Sequence, residues 1–219
     1  MLLMGIVGNM TTDVKATVVP GLRCNWLNVP WYSQYEIPIP DAYRNSSCGP
    51  AAGAVIVQWW KEKGYNRFGE WAKFYVELYK RMHTNGYGYW WWPFLGTTVW
   101  WASSGWSSYA SSRGYNFYTK YWVADTQEEV YWAALERIAS EIDRGEPLMV
   151  HFGKINGDGG KYGYLNYHWV VICGYLISPN HGQNGLRWVS IFNPVNGTSY
   201  WIDWDIVYKA ACMVSIHPR

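Results

Sequence analysis

Asn45-Ser46-Ser47-Cys48-Gly49-Pro50-Ala51-Ala52-Gly53-Ala54 carries the change of pattern that organises this chain. Before it, Pro20, Pro30, Pro38 and Pro40 keep residues 1–47 extended or turned, because proline lacks the amide hydrogen a helix interior needs. After it, Ala51, Ala52, Val55, Ile56, Trp59 and Trp60 recur at three- and four-residue spacing. That predicts a largely buried helix running to about Lys63 and stopping at Gly64. Cys48 then stands at a helix N-terminus, where unpaired N–H groups and the helix dipole favour an anion. Position alone is expected to lower such a thiol from about 8.5 toward the range of about 3 to 4 found for His-paired cysteines. Pro50 is tolerated in the first turn, and Gly49 leaves room for a substrate backbone. In isolation, Cys-Gly-Pro is more often plain helix punctuation around a structural cysteine.

Activating a thiol takes a base, a group that orients the base, and a donor for the oxyanion. His168 opens the apolar run His168-Trp169-Val170-Val171-Ile172-Cys173-Gly174-Tyr175, at the entry to a strand. His83 ends a helix, His181 lies in a polar turn and His217 is nearly terminal, so His151 in Met149-Val150-His151-Phe152 is the competitor. Asn193 ends Trp188-Val189-Ser190-Ile191-Phe192 just before Pro194, where its side-chain carbonyl can accept from an imidazole N–H. Gln34, in Val29-Pro30-Trp31-Tyr32-Ser33-Gln34, can offer its amide to an oxyanion beside the Cys48 backbone N–H.

Further helices are expected over 70–83, through Trp71, Phe74, Leu78 and Met82, and from Thr97-Thr98 to Arg113. A third follows the capping box at Thr126-Gln127-Glu128-Glu129 and carries Val130, Ala134, Leu135, Ile138 and Ile142 on one face. From there the pattern becomes that of strands, at 147–153, 167–176, 187–193 and 211–216. Helices first and an antiparallel sheet second is an α+β order, with a cleft between the two halves.

A chain of 219 residues, 49% hydrophobic and 16% charged, builds one full core rather than a disordered tract. A formal charge of +2 with no basic run argues against nucleic acid as a partner. No stretch approaches the roughly 18 apolar residues of a membrane span, and the apolar Met1–Val7 reads as a first strand rather than the stump of a signal peptide. Four cysteines, at 24, 48, 173 and 212, show no metal spacing, so no metal or cofactor is expected. A single bridge among Cys24, Cys173 and Cys212 stays open. With 17 Trp and 19 Tyr the chain is aromatic-rich, and most of these rings are expected in the core. The exception is the glycine-flanked loop Tyr87–Phe94, whose Trp90, Trp91 and Trp92 need something to cover them.

In order, Val-Pro-x-x-x-Gln, Ser-Cys-Gly-Pro-Ala-Ala, Gly-Thr-Thr, Gly-Glu-Pro-Leu-Met-Val, His-Trp-Val-Val-Ile-x-Gly-Tyr and Asn-Pro resemble a papain-like cysteine peptidase. The closest group is the bacteriocin-processing, double-glycine leader peptidase-like family. The resemblance covers about Val29 to Ile216, giving a peptidase domain at 29–219 preceded by an extension or first strand at 1–28. It implies the papain-like fold, with a helical half packed on an antiparallel sheet half. It further implies Cys48 as nucleophile, His168 as general base and then acid, Asn193 as its orienter, and Gln34 in the oxyanion hole. Gly49, Trp90, Trp91, Trp92 and Trp169 are the expected substrate-binding residues. The implied partner is a peptide or protein substrate, with a cell-wall peptide as one candidate. Peptidoglycan amidase or endopeptidase activity and a non-catalytic peptide-binding module are the alternatives. The resemblance alone tilts the location toward secreted or cell-surface. The family usually has Asp-Pro where this chain has Asn193-Pro194, which gives an imidazolium less electrostatic support.

Overall fold

The computed structural model describes residues 21–35, 41, 44, 46–87, 96–123, 128–155, 159–178 and 186–219; at 123, 128–130 and 159–160 it describes the backbone alone. The expectations for Met1–Val7, Trp90–Trp92, Thr126-Gln127 of the capping box and the turn at His181 lie outside the described residues.

Three helices come first: α1 (Cys48–Glu62), α2 (Trp71–Arg81) and α3 (Val99–Ser112). Thr98 caps α3, its side chain accepting from the Trp101 N–H. A fourth, α4 (Glu128–Asp143), precedes most of the sheet. The sheet holds seven antiparallel strands: β1 (Arg23–Trp26), β2 (Phe117–Val123), β3 (Leu148–Phe152), β4 (His168–Ile177), β5 (Arg187–Asn193), β6 (Thr198–Asp203) and β7 (Ala211–Pro218). Its order is β2-β7-β3-β4-β5-β6. β1, from the leading segment, extends the line of β3. Along one edge of β4, β3 pairs from His168 to Ile172, and β1 pairs from Gly174 to Ile177.

The sheet is covered on both faces. Trp169, Val171 and Cys173 of β4 pack with α1, α2 and α3, around Val55, Ile56, Phe74, Leu78 and Trp106. Val170 and Ile172 pack on the other side, with Leu135, Ile138 and Ile142 of α4. This explains why β4 reads as a continuous apolar run rather than an alternation. Gly174 sits where the strands crowd, since an added Cβ would lie 2.8 Å from the Trp26 Cβ and 3.0 Å from the Asn25 carbonyl oxygen.

This packing brings the start of α1 to the start of β4. No helix among the described residues is long and apolar enough to cross a membrane.

Candidate active site

Cys48 is the first residue of α1 and is half-buried. Ser47 occupies the N-cap, yet its hydroxyl does not cap the helix. It donates instead to the Arg44 carbonyl at 2.5 Å and lies 2.6 Å from the Tyr75 hydroxyl, fully buried. The first-turn amides are thereby left to other acceptors. The Cys48 and Gly49 N–H groups both favour charge on the Cys48 sulfur, and the Trp169 backbone N–H does so more strongly than either. Desolvation nevertheless outweighs all three and pushes the Cys48 thiol up, not down. The expected drop to about 3 to 4 is corrected accordingly, because the helix terminus that supplies the amides also removes water.

His168 opens β4 directly beside Trp169, whose amide serves the sulfur. Its Nε2 lies 2.9 Å from Asn193 Oδ1 at the end of β5. That oxygen also accepts the Val195 backbone N–H at 2.9 Å. The second bond settles the first: an N–H cannot face an amide NH2, so the Asn193 oxygen is the atom turned to the imidazole, and His168 Nε2 donates to it. Nδ1 is left as the basic lone pair. Burial lowers the His168 pKa, and the Asn193 bond offsets only part of that, so the ring is neutral at pH 7. Tyr167 just before it has φ +55°, and Ser46 before Ser47-Cys48 also has φ +55°. Left-handed backbone at ordinary residues carries roughly 1 kcal/mol or more of strain each, and here it flanks both the thiol and the imidazole.

Gln34 lies on a loop tied to the turn after Asn193. Its backbone N–H donates to the Pro194 carbonyl at 2.8 Å, and the Ser33 hydroxyl donates to the Val195 carbonyl at 2.8 Å. The Gln34 side chain is 4% exposed. One amide hydrogen reaches toward the Arg44 carbonyl at 3.5 Å, while Oε1 is buried without a hydrogen-bond partner.

Two expected substrate contacts have a different role. Gly49 is buried, and an added Cβ would sit 2.7 Å from the Thr97 Cβ. The missing side chain of Gly49 makes room for Thr97. Trp169 is 1% exposed and donates its indole N–H to the Thr97 carbonyl at 2.9 Å. It faces the helices because strand alternation turns it away from the His168 side, so it supports the site from beneath. The Thr97 hydroxyl, 2.6 Å from that of Thr84, completes this support. Thr97 was visible in the Gly-Thr-Thr motif, but nothing in its spacing marked it as the contact between α1 and β4.

His151 lies across from Trp169 in the sheet, its ring centroid 5.2 Å from the indole. Burial and the neighbouring His168 push it down to about 4. The unfolded chain binds this proton near 6.5, so the stabilisation from a neutral His151 is complete above that pH. It is lost as pH falls toward 4, by at most about 3 kcal/mol. Urea unfolding at pH 7 and pH 4.5 should therefore show a smaller acid loss for His151→Gln than for the parent; equal losses would remove His151 as the titrating group.

All four cysteines are free, with Cys173 fully inside the core. Among the described residues one cluster has metal-ligand character: Glu141, Glu146 and His217, with ligand atoms within 4.8 Å of one another. Arg144 already pairs with both carboxylates, at 2.6 and 3.0 Å. The cluster lies near the start of β3, at the end of the sheet away from His168.

The sequence model of the Peptidase C39-like family matches residues 26–211. No curated protein matches the chain.

Proposed function

The chain belongs to the Peptidase C39-like family, a papain-like cysteine peptidase family, and we propose that it hydrolyses peptide bonds through a thioester on Cys48. The observation that carries the reading is the fixed Asn193 oxygen, which takes both the Val195 N–H and the His168 Nε2–H and leaves Nδ1 as the base. His168 takes the Cys48 proton as the sulfur attacks the substrate carbonyl carbon. The carbonyl oxygen becomes an oxyanion, met by the Cys48 backbone N–H and by the free amide hydrogen of Gln34. Collapse breaks the C–N bond, and His168 passes its proton to the leaving amine. Water then attacks the thioester with His168 removing its proton, the acid departs, and the thiolate recovers a proton from the imidazolium.

A raised thiol and a lowered imidazole make the resting pair neutral. The neutral Asn193, standing where an aspartate is usual, fits that state because it adds no charge to hold an imidazolium.

The test is to trap the intermediate. Mixing the protein with an activated peptide ester, quenching in acid and mapping the digest should place the acyl mass on the Cys48 peptide. Turnover with the acyl group on another residue, or on none, overturns the proposal. In the same assay, the base must be deprotonated and its pKa is lowered, so kcat/KM should fall only as pH drops below 6.5.

A further inference from the structure

Beside the His168–Asn193 pair lies an open cavity of about 510 Å³, lined by Tyr164, His168, Asn193, Val195, Asn196 and Tyr200. Its position relative to the chemistry decides which part of a substrate it meets. In the proposed reaction His168 delivers a proton to the leaving amine, so the residue attached to that nitrogen passes along the imidazole. Cys48, which would carry the acyl group, is not among the residues that line the cavity.

The walls decide what the cavity accepts. Tyr164, 54% exposed, meets Tyr200 edge-to-face with centroids 6.1 Å apart and an interplanar angle of 84°. The polar ends of Asn196 and Tyr200 are already engaged with one another and with Thr198. Asn196 Nδ2 donates to the Tyr200 hydroxyl at 2.7 Å, and Asn196 Oδ1 accepts from the Thr198 hydroxyl at 2.7 Å and the Thr198 N–H at 3.2 Å. Few directed donors or acceptors remain to grip a sugar's hydroxyl groups. Among the described residues no carboxylate, lysine or arginine lines the cavity, so a charged side chain would find no ionic partner there. What remains are two ring surfaces and the Val195 side chain. An arrangement of this kind receives another ring edge-to-face or offset.

The geometry points to a specificity subsite that takes an aromatic side chain, of phenylalanine or tyrosine size, on the residue immediately after the cleaved bond, with Tyr164 and Tyr200 as its walls. This rests on the proposed reaction, since it is the proton transfer from His168 that assigns the cavity to the leaving side.

Internally quenched peptides differing only at that residue test it. Phenylalanine or tyrosine should be cleaved with kcat/KM about tenfold or more above glycine, aspartate or lysine, the scale of discrimination that a pocket of this kind supplies. Tyr164→Ala should reduce that ratio to near one, while Tyr164→Phe keeps it. Acylation by a peptide methyl ester, whose leaving group carries no ring, should be the same in all three proteins. If the ester acylates Cys48 but the peptides show no aromatic preference, or one that Tyr164→Ala leaves intact, the subsite is wrong and the reaction stands. If the ester leaves Cys48 unmodified, the reaction itself fails and takes the subsite with it. Release of fragments from bacterial sacculi without cleavage of the aromatic peptides would reassign the cavity to a glycan-linked substrate and overturn the proposal.

Discussion

Cys48→Ala is expected to abolish peptide hydrolysis, with a loss of about 10⁶-fold in kcat, the scale measured when a covalent nucleophile is deleted from a comparable acyl-transfer site. The fold should survive. Cys48 is half-buried at the first position of α1, alanine is the best helix former, and the deletion removes one sulfur atom rather than a packed side chain. The Trp169 N–H loses its sulfur acceptor, which costs about 1 kcal/mol against a domain stability of roughly 5 to 15 kcal/mol. Steady-state hydrolysis and a thermal melt, measured side by side, separate the two effects. Retention of even a tenth of the parent rate by a folded variant would exclude Cys48 as the nucleophile.

His168→Gln is expected to lower kcat by about 10³- to 10⁴-fold, because it removes both the base that takes the thiol proton and the acid that protonates the leaving amine. Glutamine keeps a polar group near Asn193, and Asn193 still holds the Val195 N–H, so the β5–β6 turn keeps its shape. The decisive comparison is the double variant. Two residues acting in one proton transfer are not independent, so Cys48→Ala with His168→Gln should be no slower than Cys48→Ala alone. A further multiplicative loss would mean that the two side chains work separately. His151→Gln is the control for the competing histidine, and its kcat should stay within a few-fold of the parent.

Much of the scaffold was legible because local pattern and tertiary environment agree. The apolar spacing after Cys48 marked α1, and the observed helix ends at Glu62 against an expected limit near Lys63. Thr98 caps α3 as its position before the helix suggested. His168 opens β4 and Asn193 closes β5, and these two ends meet. The strands β2 and β6 were not legible, and β1 only as one of two readings of the leading segment 1–28. Trp26 of β1, Tyr121 of β2 and Trp201 of β6 are exposed, so these outer strands lack the inward periodicity that marks a buried one. Nor was it legible that α4 covers the far face of the sheet, since its apolar stripe fits either side.

The charge state of the site was the least legible quantity. A thiol at a helix N-terminus is drawn toward the anion by amides and away from it by burial. Only the packed structure shows that burial wins at Cys48 and His168 alike. The parity of β4 is a second case. One step along the strand separates His168, aimed at Asn193 and the cavity, from Trp169, which is buried against Thr97. Periodicity marks the alternation but not which side will be open.

The sequence by itself marked the candidates for a nucleophile, its base, the orienter and an amide donor, because those depend on residue type and on local helix and strand signals. The tertiary structure alone decided which atoms face each other. It turned the Asn193 oxygen to His168 through the Val195 N–H, packed Thr97 against Gly49, and left a ring-walled cavity beside the imidazole. Those outcomes depend on contacts between segments far apart in the chain, and on a balance of desolvation against hydrogen bonding that no single segment contains.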